Sequence, residues 1–190
     1  MLRTIYRKLD INELIKLAQR DDYKALEELI RVAQKDVFAT FSYLNPNKSE
    51  VADLAQTVLI RLAKNIKNLS YPTKFKQWLN RIIYNVYYDD VRKNKRNCFY
   101  ISIEDENFLD VVDDKTKEPP EKCSSLEIDK LVKQAILALP EYFKISIILR
   151  EFSGLSYQEI AEITNVTIGT VKSRIARARL ILQNKLKNCL

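Results

Sequence analysis

The 190-residue chain predicts an all-α protein: two small helical domains joined by a flexible acidic linker, the second domain containing a helix-turn-helix. Three observations predict this. Apolar residues recur at spacings of three and four almost throughout, with strand-like alternation confined to the segment CFYISI at 98–103. An acidic, proline-containing stretch interrupts the periodicity after residue 103. Between Leu155 and Arg179, two helix starts are separated by a short turn. The domains are expected at 1–97 and 125–190, with the linker at 98–124.

The elements follow in order. Ile11, Leu14, Ile15 and Ala18 mark a first short helix; Ala25, Leu26, Leu29, Ile30, Ala33 and Val37 mark a second, separated from it near Asp21-Asp22. Asn45-Pro46-Asn47 breaks the chain, and Ser49 can cap the next helix. That helix has the cleanest apolar face in the sequence: Val51, Leu54, Ala55, Val58, Leu59, Leu62, Ala63 and Ile66. NLSYPTK, 68–74, reads as a loop before a long helix from Phe75 to Arg96, whose buried stripe is Phe75, Leu79, Ile82, Ile83 and Val86. Glu104, Asp105, Glu106, Asp110, Asp113 and Asp114 then appear with no intervening Lys or Arg, followed by KTKEPPEK. From about Ser125 a helix presents Leu131, Val132, Ala135, Ile136 and Leu139 before Pro140.

Composition removes several function classes. Lys and Arg total 32 against 25 Asp and Glu, a net charge of +7, and the isoelectric point near 9.2 asks for an anionic partner. There is no histidine, so catalysis and metal binding that need an imidazole are excluded, and no catalytic or metal-binding residues are expected. With only Gly154 and Gly169, a glycine-rich phosphate loop cannot be built, and no cofactor is expected. Cys98, Cys123 and Cys189 fit neither a disulfide framework nor a zinc knuckle and read as reduced thiols. Apolar runs are short and the start, MLRTIYRKLD, is charged, so a cytoplasmic protein without membrane insertion is expected.

The chemistry is concentrated in two places. Ser156 and Glu159 make a capping box for one helix, Asn165 sits where the turn needs positive φ, and Thr167 can cap a second helix. Val171, Ile175, Ala178 and Leu182 share one side of that second helix, so Gly169, Lys172, Ser173, Ala176 and Arg177 point away from it. Small residues permit close approach to the major groove, Lys172 or Arg177 can donate to guanine acceptors, and Arg174 and Arg179 suit phosphates. No acidic residue follows Glu162. Charge alone would equally describe a solvated bundle face; the caps, turn and small outer face together favour DNA.

The second place is the Phe75–Arg96 helix, where Gln77, Arg81, Tyr84, Tyr88 and Arg92 share a face that ends in RKNKR, 92–96. Aromatic rings among cations suit unpaired bases, although a protein interface would use the same tyrosines, and Asp89-Asp90 lowers the local charge. Phe75 and Trp78 are core candidates.

Two blocks carry a family resemblance. DLAQTVLIRLAKNI (53–66), TKFKQWLNRIIYN (73–85) and DDVRKNKR (89–96) resemble region two of bacterial RNA polymerase sigma factors. LPEYFKISIILREFSGLSYQEIAEITNVTIGTVKSRIARAR (139–179) resembles region four. In this order, joined by a short linker, they resemble the small extracytoplasmic-function type of the sigma-70 family, without the region-one extension of housekeeping factors or an added C-terminal domain.

The resemblance implies a non-catalytic specificity subunit that binds core RNA polymerase through the β′ clamp helices and β flap, and helps open promoter DNA. It places Asp53, Leu54, Gln56, Leu59 and Arg61 against the clamp helices, with core packing the competing role for the two leucines. It implies a minus-ten surface of Tyr71, Lys74, Arg81, Tyr84, Asn85, Tyr88, Arg92, Lys93 and Arg96, with the loop 68–74 holding a flipped base. It implies a minus-thirty-five surface of Thr167, Thr170, Lys172, Ser173, Arg174, Arg177 and Arg179, reading duplex DNA. The acidic linker either mimics a nucleic-acid strand in a basic channel or is a solvated spacer. An anti-sigma protein is a further partner the resemblance allows. The chain departs from the family at Thr57, where Glu is usual, at Asn165 in place of Gly, and in the tyrosine-rich YNVYYDD, 84–90. The alternative is a stand-alone helix-turn-helix regulator, which would not need the first domain.

Overall fold

The structure, a computed structural model, describes residues 5–97 and 125–187, and the side chains of 94–97 and 125–127 fall outside that description. The acidic linker, the CFYISI segment and all three cysteines lie outside the described residues. Among the described residues the regular elements are all helices.

Helix α1 (Ile11–Gln19) starts in a capping box formed by Asp10 and Glu13. Asp21 adopts φ 66°, a left-handed conformation that Asp tolerates, and Asp22 then caps α2 (Tyr23–Leu44) by accepting from the Lys24 and Ala25 N–H groups at 3.0 and 3.1 Å. Helix α2 runs beyond Val37 because Thr40, Phe41 and Leu44 continue its buried stripe. Helix α3 (Lys48–Asn65) is capped by Asn47 and not by Ser49: the Asn47 side chain accepts from the Ser49 N–H at 3.1 Å, which puts Ser49 inside the first turn. Between α3 and α4 the chain makes two 3₁₀ turns, Ile66–Asn68 and Pro72–Lys74, the second entered through Pro72. Helix α4 covers Phe75–Asn97.

In the second domain α5 (Ser125–Leu137), α6 (Glu141–Glu151), α7 (Tyr157–Thr164) and α8 (Ile168–Lys187) close around α8, against which the other three pack. In the first domain α2 packs on α1 and α3, and α3 on α4.

Ile15, Leu29, Phe41, Val58, Leu62 and Ile83 are buried in the first core; Ile145, Ile148, Leu149, Ile160 and Ile175 are buried in the second. Each such side chain contributes about 1.5–3 kcal/mol relative to exposure. The predicted stripes hold with local exceptions: Ile11, Leu26, Ile30, Leu59, Ala63, Ile82, Leu131, Val132 and Leu182 are half-buried, while Tyr87 and Asn80 join the buried side of α4.

The domains meet through α4 against α7 and through α2 against α5 and α6. Tyr43 of α2 lies against Phe152, which follows α6, with ring centroids 4.2 Å apart, and Lys133 Nζ sits 5.9 Å from the Tyr43 ring centre. Among the described residues no helix is long and apolar enough to cross a membrane.

Candidate nucleic-acid and polymerase interfaces

The helix-turn-helix is built by local chemistry. The Ser156 side chain accepts from the Glu159 N–H at 3.2 Å, and Glu159 Oε2 accepts from the Ser156 N–H at 2.8 Å, so α7 starts with both donors satisfied. It ends at Asn165, with φ 55° and ψ 46°. The Val166 N–H then reaches back to the Ala161 carbonyl at 3.2 Å, the six-to-one bond that closes a helix through a left-handed residue. Asn165→Val is expected to cost about 1–2 kcal/mol because a β-branched side chain clashes in this conformation, whereas Asn165→Gly leaves stability almost unchanged. Chemical denaturation of the two variants checks this.

Thr167 opens α8, its Oγ1 accepting from the Thr170 N–H at 3.2 Å. Val171, Ile175 and Ala178 face the core, while Lys172, Ser173, Ala176 and Arg177 are exposed. Ser173 Oγ donates to the Thr170 carbonyl at 2.9 Å, which holds that hydroxyl close to the helix. Two predicted contacts have protein partners instead of open surface. Arg174 is half-buried, its guanidinium 5.5 Å from the Tyr142 ring centre. Arg179 donates through Nη2 to Glu151 Oε1 at 2.6 Å. Sequence reasoning missed Ile168 and Leu180, exposed apolar residues of α8 that fall outside its core stripe.

On α3, Asp53 and Gln56 are exposed, Leu54 is buried and Leu59 half-buried, so Leu54 serves the core. Arg61 Nη2 donates to Asp89 Oδ2 at 3.2 Å, tying α3 to α4. Thr57, at the position where the family pattern has Glu, donates to the Asp53 carbonyl at 2.9 Å. Ile60 is exposed beside Gln56 and was not singled out from the sequence. An apolar residue off the buried stripe was the available signal.

The α3–α4 connection and α4 border a cavity of about 290 Å³ lined by Asn68, Leu69, Ser70, Tyr71, Lys74, Gln77, Trp78 and Arg81, with Glu162 and Ile163 of α7 on its far side. Tyr71 is exposed and Lys74 Nζ stands 5.8 Å from its ring centre. Arg81, Asn85, Arg92 and Lys93 are exposed along α4, and the Arg96 side chain is outside the described residues.

Tyr84 and Tyr88 depart from the expected open face. Both are half-buried, their ring centroids 4.5 Å apart. Burial, reinforced by Tyr88, pushes the Tyr84 hydroxyl up to about 12, and burial also raises Tyr88 against the opposing pull of Arg174 and Arg92. Both rings are therefore neutral across the physiological range. The cause lies across the domain boundary: Gln77 Nε2 donates to Glu162 Oε2 at 2.7 Å, and Tyr84 Oη lies 3.5 Å from the Thr164 carbonyl oxygen.

A helix-turn-helix whose second helix exposes small and basic residues, following a helical domain with aromatic and cationic side chains around a cavity, defines a two-domain DNA-reading protein. Family comparison makes the class specific. Residues 29–97 match the model for sigma-70 region 2, and 129–182 match the model for sigma-70 region 4. The chain is 31% identical over 184 residues to the ECF RNA polymerase sigma factor SigW of Bacillus subtilis strain 168, covering 94% of this chain and 97% of SigW. It is 33% identical over 178 residues to the ECF RNA polymerase sigma-E factor of Escherichia coli K12, covering 92% and 93% of the two chains. Among solved structures it is similar to the sigma factor RpoE of Bartonella quintana, in complex with the anti-sigma factor NepR, with TM-score 0.65, 26% identity and coverage of 86% of this chain and 98% of that one. CnrH, solved with the cytosolic domain of CnrY, shares the fold at TM-score 0.63 and 20% identity, covering 93% of this chain and 97% of that one.

The chain belongs to the sigma-70 family, in its extracytoplasmic-function group. It is an alternative sigma factor, which binds core RNA polymerase and directs promoter-specific transcription initiation. The stand-alone regulator is not favoured, because the matched region 2 spans most of the first domain.

Proposed function

We propose that the division of labour follows the two helical units, 1–97 and 125–190, with 98–124 between them. The first unit binds the polymerase clamp through the exposed side of α3, where Asp53, Gln56 and Arg61 surround Ile60. It recognises and helps melt the minus-ten element through the cavity beside α4. The cavity of about 290 Å³ takes one wall from Glu162 and Ile163 of α7, and the part the first unit supplies is the concave face between the 68–74 connection and α4, where an unstacked base would sit. Tyr71 and Lys74 stand at its lip, and Arg81, Asn85, Arg92, Lys93 and Arg96 track the strand leading to it. Tyr84 and Tyr88 supply stacking faces once exposed.

The second unit binds the minus-thirty-five element with α8 in the major groove. Lys172 and Arg177 donate to base edges, Thr167, Thr170 and Ser173 position the helix, and Arg174 and Arg179 meet phosphates. Ile168 and Leu180 provide apolar contacts of the kind that thymine methyl groups accept. The chain adds affinity and shape while the polymerase performs the chemistry, and it acts in the cytoplasm. RpoE of Bartonella quintana was solved in complex with the anti-sigma factor NepR, which supports an anti-sigma protein as a regulator of this chain. The exposed face of α8 is the observation that carries the reading: after Glu162 the chain has only cationic charged residues. Co-purification with core RNA polymerase tests it; a chain that binds promoter duplex but never associates with core would overturn it in favour of a free regulator.

Because Arg179 is held by Glu151, Glu151→Gln should strengthen promoter binding several-fold on all sequences alike and steepen its salt dependence. The change frees one guanidinium for phosphate and removes one carboxylate beside the DNA face. Fluorescence anisotropy across a salt series checks both effects; unchanged salt dependence contradicts a phosphate role for Arg179.

A further inference from the structure

We infer that Gln19, the last residue of α1 and ahead of the residues 29–97 that match region 2, is a positioning residue for the cavity assigned to the flipped base: its side-chain amide sets the backbone from which the 68–74 connection reads that base. This holds on the reading of that cavity as the seat of an unpaired base.

The geometry is a two-pronged clamp. Gln19 is half-buried, and its Nε2 donates to the Ile66 carbonyl at 3.0 Å and to the Leu69 carbonyl at 2.7 Å, 47 and 50 residues away in the chain. A primary amide nitrogen carries two hydrogens, and here each has its own acceptor. The two acceptors bracket the first 3₁₀ turn after α3, which the Leu69 N–H closes on the Ile66 carbonyl at 3.2 Å. So short a turn has strained hydrogen-bond geometry and little stability of its own. A second tether comes from the same corner of the first domain: Asp21, held left-handed, pairs with Lys67 inside that turn. This exposed ion pair adds less than the buried side of the clamp.

The clamp acts on the cavity through one peptide plane. Leu69 and Ser70 both line the cavity, and the peptide that joins them is trans. In a trans peptide the carbonyl and the following N–H point in opposite directions. With the Leu69 carbonyl held by Gln19, the Ser70 N–H is turned away from α1, and among the described residues none accepts from it. A free backbone donor in a cavity wall suits a base that turns a carbonyl oxygen or ring nitrogen toward it. Fixing that donor before the base arrives removes the ordering cost from the binding step. Without the clamp the 69–70 peptide can rotate, and only the fraction of chains with the donor aimed correctly would hold the base well.

The test uses the full chain with core polymerase and fluorescent DNA forks from a promoter found by RNA 5′-end mapping, each strand in turn left unpaired across the minus-ten element. The forks are made intact and with an abasic site at each unpaired position. On the intact fork Gln19→Ala and Gln19→Glu are expected to bind about tenfold more weakly than the parent, because two hydrogen bonds of modest net strength hold the competent backbone. On the fork that is abasic at the flipped position, parent and variants should bind alike, and binding to a minus-thirty-five duplex should be unchanged throughout. A loss that persists equally on every abasic fork belongs to a merely structural residue and would overturn the positioning role, as would parent-like binding of both variants to the intact fork. If neither variant keeps the helical content of the parent by circular dichroism, Asp21→Gly decides: its left-handed φ suits glycine, and removing the second tether should give the same abasic-dependent loss at about two- to threefold. Parent-like binding by that variant then overturns the role of the corner. A parent indifferent to every abasic substitution has no flipped base to hold, so the reading of the cavity itself fails and the positioning role falls with it.

Discussion

Replacing Arg177 by alanine is expected to weaken binding to the cognate minus-thirty-five duplex by about 1–3 kcal/mol, roughly 5–150-fold, and to relax selectivity at one base pair. Arg177 is exposed on α8, one turn beyond Ser173 and next to Ala176, whose small side chain lets the helix approach the groove floor. A guanidinium in that position offers two parallel donors to a guanine edge, and no other side chain of the outer face can replace that geometry. Arg179→Ala provides the contrast. Its guanidinium already pairs with Glu151 at 2.6 Å, so part of its charge is neutralised before DNA arrives. The loss should be smaller and indifferent to sequence. Binding selection against a library randomised at each position of the element distinguishes the two; equal loss of discrimination from both variants would contradict the orientation of α8.

The double change Tyr84→Ala and Tyr88→Ala should abolish promoter opening at temperatures where the parent holoenzyme melts DNA, while leaving closed-complex binding intact or slightly tighter. Each stacked base contributes about 1–3 kcal/mol, so removing two platforms withdraws about 2–6 kcal/mol from the melted state alone. The rings are paired, 4.5 Å between centroids, and half-covered by the second domain, so their removal also loosens the seam between the units. Loss of opening together with retained closed binding is therefore the signature, and permanganate reactivity of unpaired thymines reads it. Reactivity equal to the parent in the double variant would remove these tyrosines from the melting surface.

What could be read from the sequence was what local chemistry encodes. The Ser156–Glu159 box, the left-handed Asn165 and the apolar face of α3 each depend on neighbours within a few residues; the first two stand as the spacing predicts, and the third does so except that Leu59 and Ala63 are half-buried. The cap of α3 shows the limit of that approach. Asn47 and Ser49 are both good caps two residues apart, and only the backbone path after Pro46 selects Asn47. The interdomain contacts had no periodic signal at all. Asn80 and Ser153, Tyr87 and Glu141, Tyr84 and Thr164, Gln77 and Glu162 are 54 to 85 residues apart in the chain. Asn80 was the one visible anomaly, a polar residue among the inward positions of α4 beside Leu79 and Ile83. Tyr84 and Tyr88 could be placed on one face by spacing, yet whether that face meets solvent, DNA or protein depends on a second domain that spacing cannot position. Arg174 was likewise placed correctly near the outer face, but its stacking on Tyr142 depends on how α6 crosses α8.

The central claim is that two helical units hold core polymerase and two promoter elements at once. Multi-round transcription of fragmented bacterial genomic DNA by core polymerase, with and without the purified chain, followed by mapping of RNA 5′ ends, addresses it most directly. A limited set of start sites is expected that appear only with the chain, share paired upstream elements at constant spacing, and are used less, with relaxed preference at one upstream base pair, by Arg177→Ala. Start sites identical in number and position with and without the chain would contradict it.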